Sequence, residues 1–122
     1  MGLFNLIKSS ANDAVKVDYD AIEALAVQRN RVVATGTKER QAAIKKSKVG
    51  DLVVFRKTKN RTNTTYIVSA YNSGSELGEI SYGTSEWISK NHPKAQLLGR
   101  ITSKVKGDAY TPPTVDIEYK IY

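Results

Sequence analysis

The chain has 122 residues, of which 40% are hydrophobic and 25% charged, a balance typical of one globular domain with its own core. It contains no cysteine and one histidine, His92, which excludes disulfides, thiolate zinc sites and cysteine nucleophiles. We therefore expect no metal and no other cofactor. No apolar run is long enough to span a membrane and no signal peptide is recognisable, so we expect a cytoplasmic protein without a membrane partner.

The positive charge is concentrated in one third of the chain, between Arg29 and Arg61. This stretch has a net charge of +9, whereas the whole chain has +7, so the remaining residues sum to −2. Apolar runs at 32–34 and 52–55 interrupt it, which predicts folded strands and not a disordered tail. Positive charge gathered on a folded domain favours a polyanionic partner. The eleven cations are Arg29, Arg31, Lys38, Arg40, Lys45, Lys46, Lys48, Arg56, Lys57, Lys59 and Arg61, and the two acids are Glu39 and Asp51.

The first 29 residues are predicted to form an extension that ends in a helix over 20–29. Asp20 and Glu23 stand three residues apart, as in a capping box. The apolar residues that follow have helical spacing, so one side of the helix can pack while the other is solvated. We expect this N-terminal helical extension to cover the surface of the domain that comes after it.

Residues 30–122 are predicted to form that domain, and their pattern is mainly β. The strict alternation of apolar and polar residues over 114–122 is typical of a strand with one buried face. Six short strands with one or two brief helices indicate a small six-stranded barrel of the OB or SH3-like kind. The strands are predicted at 31–37, 52–57, 65–71, 76–81, 97–105 and 114–122, and the helices at 39–46 and 83–90.

Several short segments of this predicted barrel follow one another in a characteristic order. They are Val33-Ala34-Thr35-Gly36, Arg40-Gln41, Val49–Arg56, Leu77–Ser81, Glu86-Trp87-Ile88 and Gly99-Arg100-Ile101. The series covers about residues 31–121 and resembles the HIRAN domain, a small β-barrel module carried by Swi/Snf-type DNA translocases and found alone in bacteria and phages. The resemblance implies a β-barrel that binds the 3′ end of single-stranded DNA.

The resemblance also implies where the binding loop lies. In the family, an Asn-Pro-Tyr-Asp-like loop stacks an aromatic ring on the terminal base and sets an acid against the 3′ hydroxyl. The matching residues here are Asn60-Arg61-Thr62-Asn63, in which threonine replaces the aromatic and asparagine replaces the acid. Arg40 matches a basic position of the family that touches the nucleic acid, and Tyr82 falls near another. These replacements predict general strand binding with little dependence on a free 3′ end.

The sequence therefore predicts a non-enzymatic nucleic-acid-binding module, with single-stranded DNA favoured, that serves a DNA-processing system. Lysine and arginine neutralise phosphates, and an aromatic ring with a free face stacks on any base. Trp87 is expected in the core, and Tyr66 in the core or at its rim. The candidate binding residues are Arg40, Arg56, Lys57, Lys59, Asn60, Arg61, Asn63 and Tyr82.

Two other functions remain open from the sequence. A protein-interaction module, whose barrel edge or N-terminal helix binds an acidic partner, would explain the same charge. Asp116 and Glu118 stand two apart on the last predicted strand, and such a pair can hold a metal ion for nuclease chemistry. Alternating acids on a terminal strand more often face solvent, however. No Gly-x-x-x-x-Gly-Lys-Ser/Thr loop is present, so ATP hydrolysis is not expected.

Overall fold

The computed structural model describes residues 17–59 and 61–122, which form a six-stranded antiparallel sheet with two helices. This confirms the mainly β architecture predicted from the sequence. A 3₁₀ turn, Tyr19–Ala21, precedes the sheet. The helices are α1 (Lys38–Lys46) and α2 (Tyr82–Asn91), and the strands are β1 (Ala26–Arg31), β2 (Leu52–Lys59), β3 (Thr64–Ala70), β4 (Glu76–Glu79), β5 (Leu97–Val105) and β6 (Thr114–Ile121).

The sheet has the strand order β1-β6-β5-β2-β3-β4 and curves into a half-barrel around the core. Its two edges, β1 and β4, are joined where Val33 and Glu79 exchange two backbone hydrogen bonds of 2.9 Å. The inner face of β6 carries the predicted apolar alternation, and all four of its side chains are fully buried. These side chains are Val115, Ile117, Tyr119 and Ile121.

The sheet comes closest to its neighbours at Gly78 of β4. A Cβ atom at this position would lie 2.5 Å from the carbonyl oxygen of Val33 and 2.5 Å from a methyl group of Val32. Since the first of these is a backbone atom, it cannot move aside without breaking the contact between Val33 and Glu79. Glycine is therefore required at this edge of the half-barrel.

The predicted helix over 20–29 is wrong. Ala26–Arg31 is strand β1, which pairs along its whole length with β6, so the boundary predicted at residue 30 falls inside a strand of the sheet. Side chains of this segment alternate between half-buried and exposed, as expected for a strand. Pairing with a strand some ninety residues further on overrides a local spacing that favours a helix. Residues 1–16 lie outside the described residues.

The first predicted strand, at 31–37, is also displaced. β1 ends at Arg31, and Ala34 has a φ angle of 56°, in the left-handed region that alanine rarely adopts. An extended strand cannot pass through that conformation, so the chain turns here towards α1. The other five strands begin and end within about two residues of their predicted bounds.

Both helices lie where the sequence predicts them, but the side chain of Trp87 does not lie where it was predicted. The Thr37 hydroxyl caps α1 by accepting the backbone N–H of Arg40 at 3.2 Å. In α2 the buried side chains are Ser85 and Ile88, three residues apart, so Trp87 faces away from the core. Trp87 is 42% exposed, and the prediction that it lies in the core is wrong.

Candidate nucleic-acid interface

An open groove lined by aromatic side chains lies where β2 and β5 diverge. The two strands pair only through Leu52–Val54 and Leu98–Arg100, and beyond Val54 strand β2 continues with β3 alone. The fork leaves a groove of about 560 Å³. We call it the aromatic groove. Its aromatic side chains are Phe55, Tyr66, Tyr71 and Tyr122, and Lys57 and Pro93 complete its lining together with neighbouring aliphatic residues.

The walls of the aromatic groove are held by contacts with the rest of the sheet. The ring of Phe55 packs against that of Tyr119, with centroids 5.1 Å apart. Tyr122 and Gln96 exchange backbone hydrogen bonds of 2.7 and 3.0 Å, which fix the C-terminal end of the chain beside the groove. Burial raises the pKa of the Tyr66 phenol above its ordinary value. The aromatic walls of the groove are thus preformed.

Two lysines stand on the same face of β2 as Phe55. Phe55, Lys57 and Lys59 are spaced by two residues, and side chains at that spacing share one face of a strand. Lys57 lies opposite Tyr66 in the pairing of β2 with β3, and Lys59 lies opposite Thr64. Both lysines are exposed, and within the described part of the chain neither forms an ion pair. The aromatic groove therefore continues into a row of cations available to a phosphate.

The loop from β2 to β3 follows this row. Arg61, Thr62 and Asn63 are exposed, and Arg61 forms no ion pair with any described residue. Asn60, the residue shared with the HIRAN loop, lies outside the described residues. Lys57, Lys59 and Arg61 thus follow one another along β2 and its loop.

Tyr82 is placed at the first position of α2 and is 49% exposed. The backbone N–H of Ile80 donates to the carbonyl of Tyr66 at 2.9 Å, so the chain enters α2 beside that wall of the aromatic groove. The Tyr82 hydroxyl donates to Glu86 at 3.1 Å. That bond raises the pKa of Tyr82.

Arg40 and Arg56, also predicted as binding residues, are grouped elsewhere, around the acids of β4. Arg40 donates to Glu76 and Glu79 at 2.9 Å each, and to the carbonyl of Ala34 at 2.8 Å. Its side chain is only 14% exposed. Arg56 stands on the opposite face of β2 from Lys57 and reaches Glu76 at 3.3 Å. The structure therefore does not bring these two arginines to the aromatic groove.

The environment of Arg40 is that of a structural ion pair. Partial burial works against its charge, but the hydrogen bonds that it donates to Glu79 and Glu76 outweigh this, and the pKa of Arg40 is raised. The positive φ of Ala34 turns its carbonyl towards the guanidinium. One side chain thus connects α1, the turn after β1 and strand β4.

A second network of paired charges covers the outer face of β6. Glu118 is buried and accepts hydrogen bonds from Arg29 at 3.0 Å and from Arg100 and Tyr19 at 3.3 Å. Asp116 accepts from Arg31 at 2.9 Å. The prediction that both acids face solvent is wrong for Glu118. Each carboxylate is engaged by an arginine, and no cluster of three or more metal-ligating side chains occurs among the described residues.

None of the four aromatic side chains that line the aromatic groove was predicted from the sequence as a site residue. Phe55 belongs to a run whose pattern indicates a buried strand, and Tyr71 is the last residue of the next predicted strand. The two-residue spacing of Phe55, Lys57 and Lys59 was a usable signal, since it places a ring and two cations on one face. Neither strand's own sequence indicates that β2 and β5 separate beside this ring.

No helix in the described parts of the chain has both the length and the apolar character needed to cross a membrane. Comparison of the chain with protein-family models, with curated proteins and with solved structures found no match. The function must therefore be argued from the site itself.

Proposed function

We propose that the protein is a non-enzymatic nucleic-acid-binding module that holds a single strand across the aromatic groove. The observation that carries the proposal is the combination of a groove lined by aromatic side chains with Lys57 and Lys59 on the same face of β2 as Phe55. Stacking on aromatic side chains contributes about 1–3 kcal/mol per base, and the cations neutralise the phosphates between bases. The HIRAN-like order of segments supports the same function.

The form of the groove favours a single strand over a duplex. In a duplex the base faces are stacked on one another and cannot reach a protein ring, whereas a single strand can splay its bases. The groove is lined by four aromatic residues, and among its described lining residues there is no aspartate or glutamate side chain that would repel a phosphate. We therefore expect a labelled single strand to bind more tightly than the same sequence in a duplex.

Fluorescence polarisation with labelled oligonucleotides tests the proposal. Binding should be measurable at about 50 mM salt and should weaken steeply as salt is added. If Lys57, Lys59 and Arg61 each neutralise one phosphate, the slope of log affinity against log salt is about −2. No binding of any strand at low salt would refute the proposal.

Charge reversal locates the binding surface. The double variant Lys57→Glu, Lys59→Glu should lose about tenfold or more in affinity, because it replaces two attractions by two repulsions. The double variant Lys46→Glu, Lys48→Glu is the matched control, since it makes the same change of charge at exposed lysines outside the groove. Equal losses in both variants would show that only the overall charge matters.

A blocked 3′ end tests how far the HIRAN resemblance extends. Thr62 and Asn63 stand where the family has its stacking aromatic and its acid. We expect a 3′-phosphorylated strand and a 3′-hydroxyl strand to bind alike. A strong preference for the free hydroxyl would contradict this and would indicate recognition of the end by other residues.

A further inference from the structure

A second groove lies between α1 and the connection from β5 to β6, and it has a different character. Its volume is about 750 Å³. The floor is aliphatic, and among the described residues that line it there is no aromatic side chain. We call it the aliphatic groove. Its apolar lining residues are Ala42 and Ile44 on α1 and Val105, Gly107 and Pro113 on the opposite side.

Polar contacts hold both walls of the aliphatic groove in place. Gln41 donates from its side-chain amide to the carbonyl of Thr35 at 2.7 Å and to that of Pro113 at 2.9 Å. Lys104 donates to the carbonyls of Lys45 and Ser47 at 3.2 and 2.9 Å, which caps the C-terminal end of α1. A groove fixed on both sides needs little ordering when a ligand enters.

Three lysines surround this apolar floor. Lys45 and Lys106 are exposed, and neither has an ion pair with any described residue. Lys104 uses two of its three ammonium donors on carbonyls and keeps one. The acid of the same connection, Asp108, turns its carboxylate into its own loop, where it accepts the backbone N–H groups of Tyr110 and Thr111. The rim of the groove is therefore positive and not neutralised by that loop.

We propose that the aliphatic groove binds an acidic segment of a partner protein. One aliphatic or aromatic side chain of the segment enters the groove, and carboxylates on either side of it meet Lys45, Lys104 and Lys106. Burial of apolar surface contributes about 25 cal/mol per Å², while the charges orient the segment and speed its association. A nucleobase fits this groove less well, because stacking needs an aromatic face. The proposal stands independently of strand binding at the aromatic groove.

A panel of short labelled peptides tests this inference. Each peptide carries a single Leu, Phe or Trp at one position among Asp and Glu residues. Controls replace the apolar residue by Ala, or the acids by Asn and Gln. We expect members of the panel to bind, and both kinds of control to bind at least about tenfold more weakly. If no member binds at millimolar concentration, or if the apolar residue makes no difference, the proposal is wrong.

Variants of the protein then place the peptide on the molecule. Lys45→Glu, Lys106→Glu should reduce peptide affinity about tenfold or more, while Lys57→Glu, Lys59→Glu, with the same change of charge, should leave it unchanged. Circular dichroism and thermal melting check that each variant is folded. Equal losses in the two variants would overturn the proposal. So would a Lys45→Glu, Lys106→Glu variant that binds peptides normally but loses oligonucleotide binding, since the groove would then belong to the nucleic-acid surface.

Nuclear magnetic resonance gives a readout that does not depend on variants. Addition of a binding peptide should shift the backbone amide signals of Ala42, Val105 and Gly107, which line the groove. Signals of Tyr66 and Tyr71 in the aromatic groove should stay in place. Shifts confined to the aromatic groove would contradict the proposed site and would leave the argument for strand binding untouched.

Discussion

The outer face of the half-barrel and the rim of the aromatic groove both draw their cations from the same basic third of the sequence. On the outer face, four arginines are bound to carboxylates of β4 and β6. At the groove, Lys57 and Lys59 meet no described acid. A guanidinium fork matches the geometry of a carboxylate, whereas an ammonium is a compact charge that keeps its water. The net charge of this part of the sequence therefore overstates the number of cations that the folded surface makes available to a polyanion. The four paired arginines are Arg29, Arg31, Arg40 and Arg56.

The largest effect is expected where an arginine is most enclosed. Arg40→Met should reduce the free energy of unfolding by about 2–3 kcal/mol, because it leaves Glu79 without its arginine, leaves Glu76 with Arg56 alone and removes the donor to the carbonyl of Ala34. Urea denaturation measures this change. Lys46→Met is the control, an exposed lysine whose replacement should stay within about 0.5 kcal/mol.

The same variant tests the contact with nucleic acid that the HIRAN resemblance implies for Arg40. Under conditions where Arg40→Met is fully folded, we expect its affinity for a single strand to equal that of the wild type. A clear loss of affinity in the folded variant would show that Arg40 is part of the interface and that the division between paired and available cations is wrong.

A tyrosine of the aromatic groove should matter for binding, while a more exposed tyrosine outside the groove should not. Tyr71→Ala removes one wall of the groove, and the binding free energy for a single strand should weaken by about 1–3 kcal/mol. Tyr110→Ala is the matched control, since Tyr110 is 94% exposed and lies on the connection between β5 and β6. Polarisation titrations in which both variants lose affinity alike would remove the aromatic groove as the site.

Acid should weaken the fold through the paired carboxylates. The hydrogen bond from Arg29 lowers the pKa of Glu118 below its usual 4.5, and the hydrogen bond from Arg31 lowers that of Asp116 below its usual 3.8. Between the folded and unfolded pKa values the unfolded chain binds more protons, so this stability is complete above the usual pKa values and is lost as the pH falls through the lowered ones. Urea unfolding across this range should show the decline, and Glu118→Gln should make it shallower. A stability independent of pH would mean that the pairs contribute nothing.

The smallest effect is expected for an arginine that is paired but exposed. The side chain of Arg29 is 78% exposed, although it donates twice to Glu118. Arg29→Ala should therefore cost only about 0.2–1 kcal/mol of stability. Thermal melting beside Arg40→Met provides the comparison. If the two variants melt alike, the depth of burial does not distinguish these ion pairs.

The sequence predicts those parts of the fold whose pattern is local. β5, β6, α1 and α2 are indicated by the residues of their own segments, and their positions are confirmed. β1 was mistaken for a helix because its strand character comes from pairing with β6, far along the chain. The burial of Trp87 was predicted wrongly because a short helix can bury only one side, and Ile88 lies on that side.

In the candidate site, too, features with a local sequence pattern can be predicted, whereas features that depend on distant pairing cannot. Lys57 and Lys59 lie in one strand, so their shared face can be worked out from spacing alone. The pairing of Arg40 with Glu76 and Glu79 cannot be worked out from spacing, because these acids stand more than thirty residues away in the sequence. They are brought near Arg40 by the pairing of β4 with β3. The fork between β2 and β5, which opens the aromatic groove, likewise depends on where one pairing stops.

The arginine–carboxylate pairs exist only in the native state, and this affects how ligand binding can be measured. A denatured chain releases Arg29, Arg31, Arg40 and Arg56 from their acids and offers all of them to a polyanion. An oligonucleotide then has affinity for both states, and a ligand that also binds the denatured state raises the melting temperature less than its affinity for the native state would require. A thermal-shift screen would for this reason underestimate strand binding, and titration of the native protein is the sounder measure.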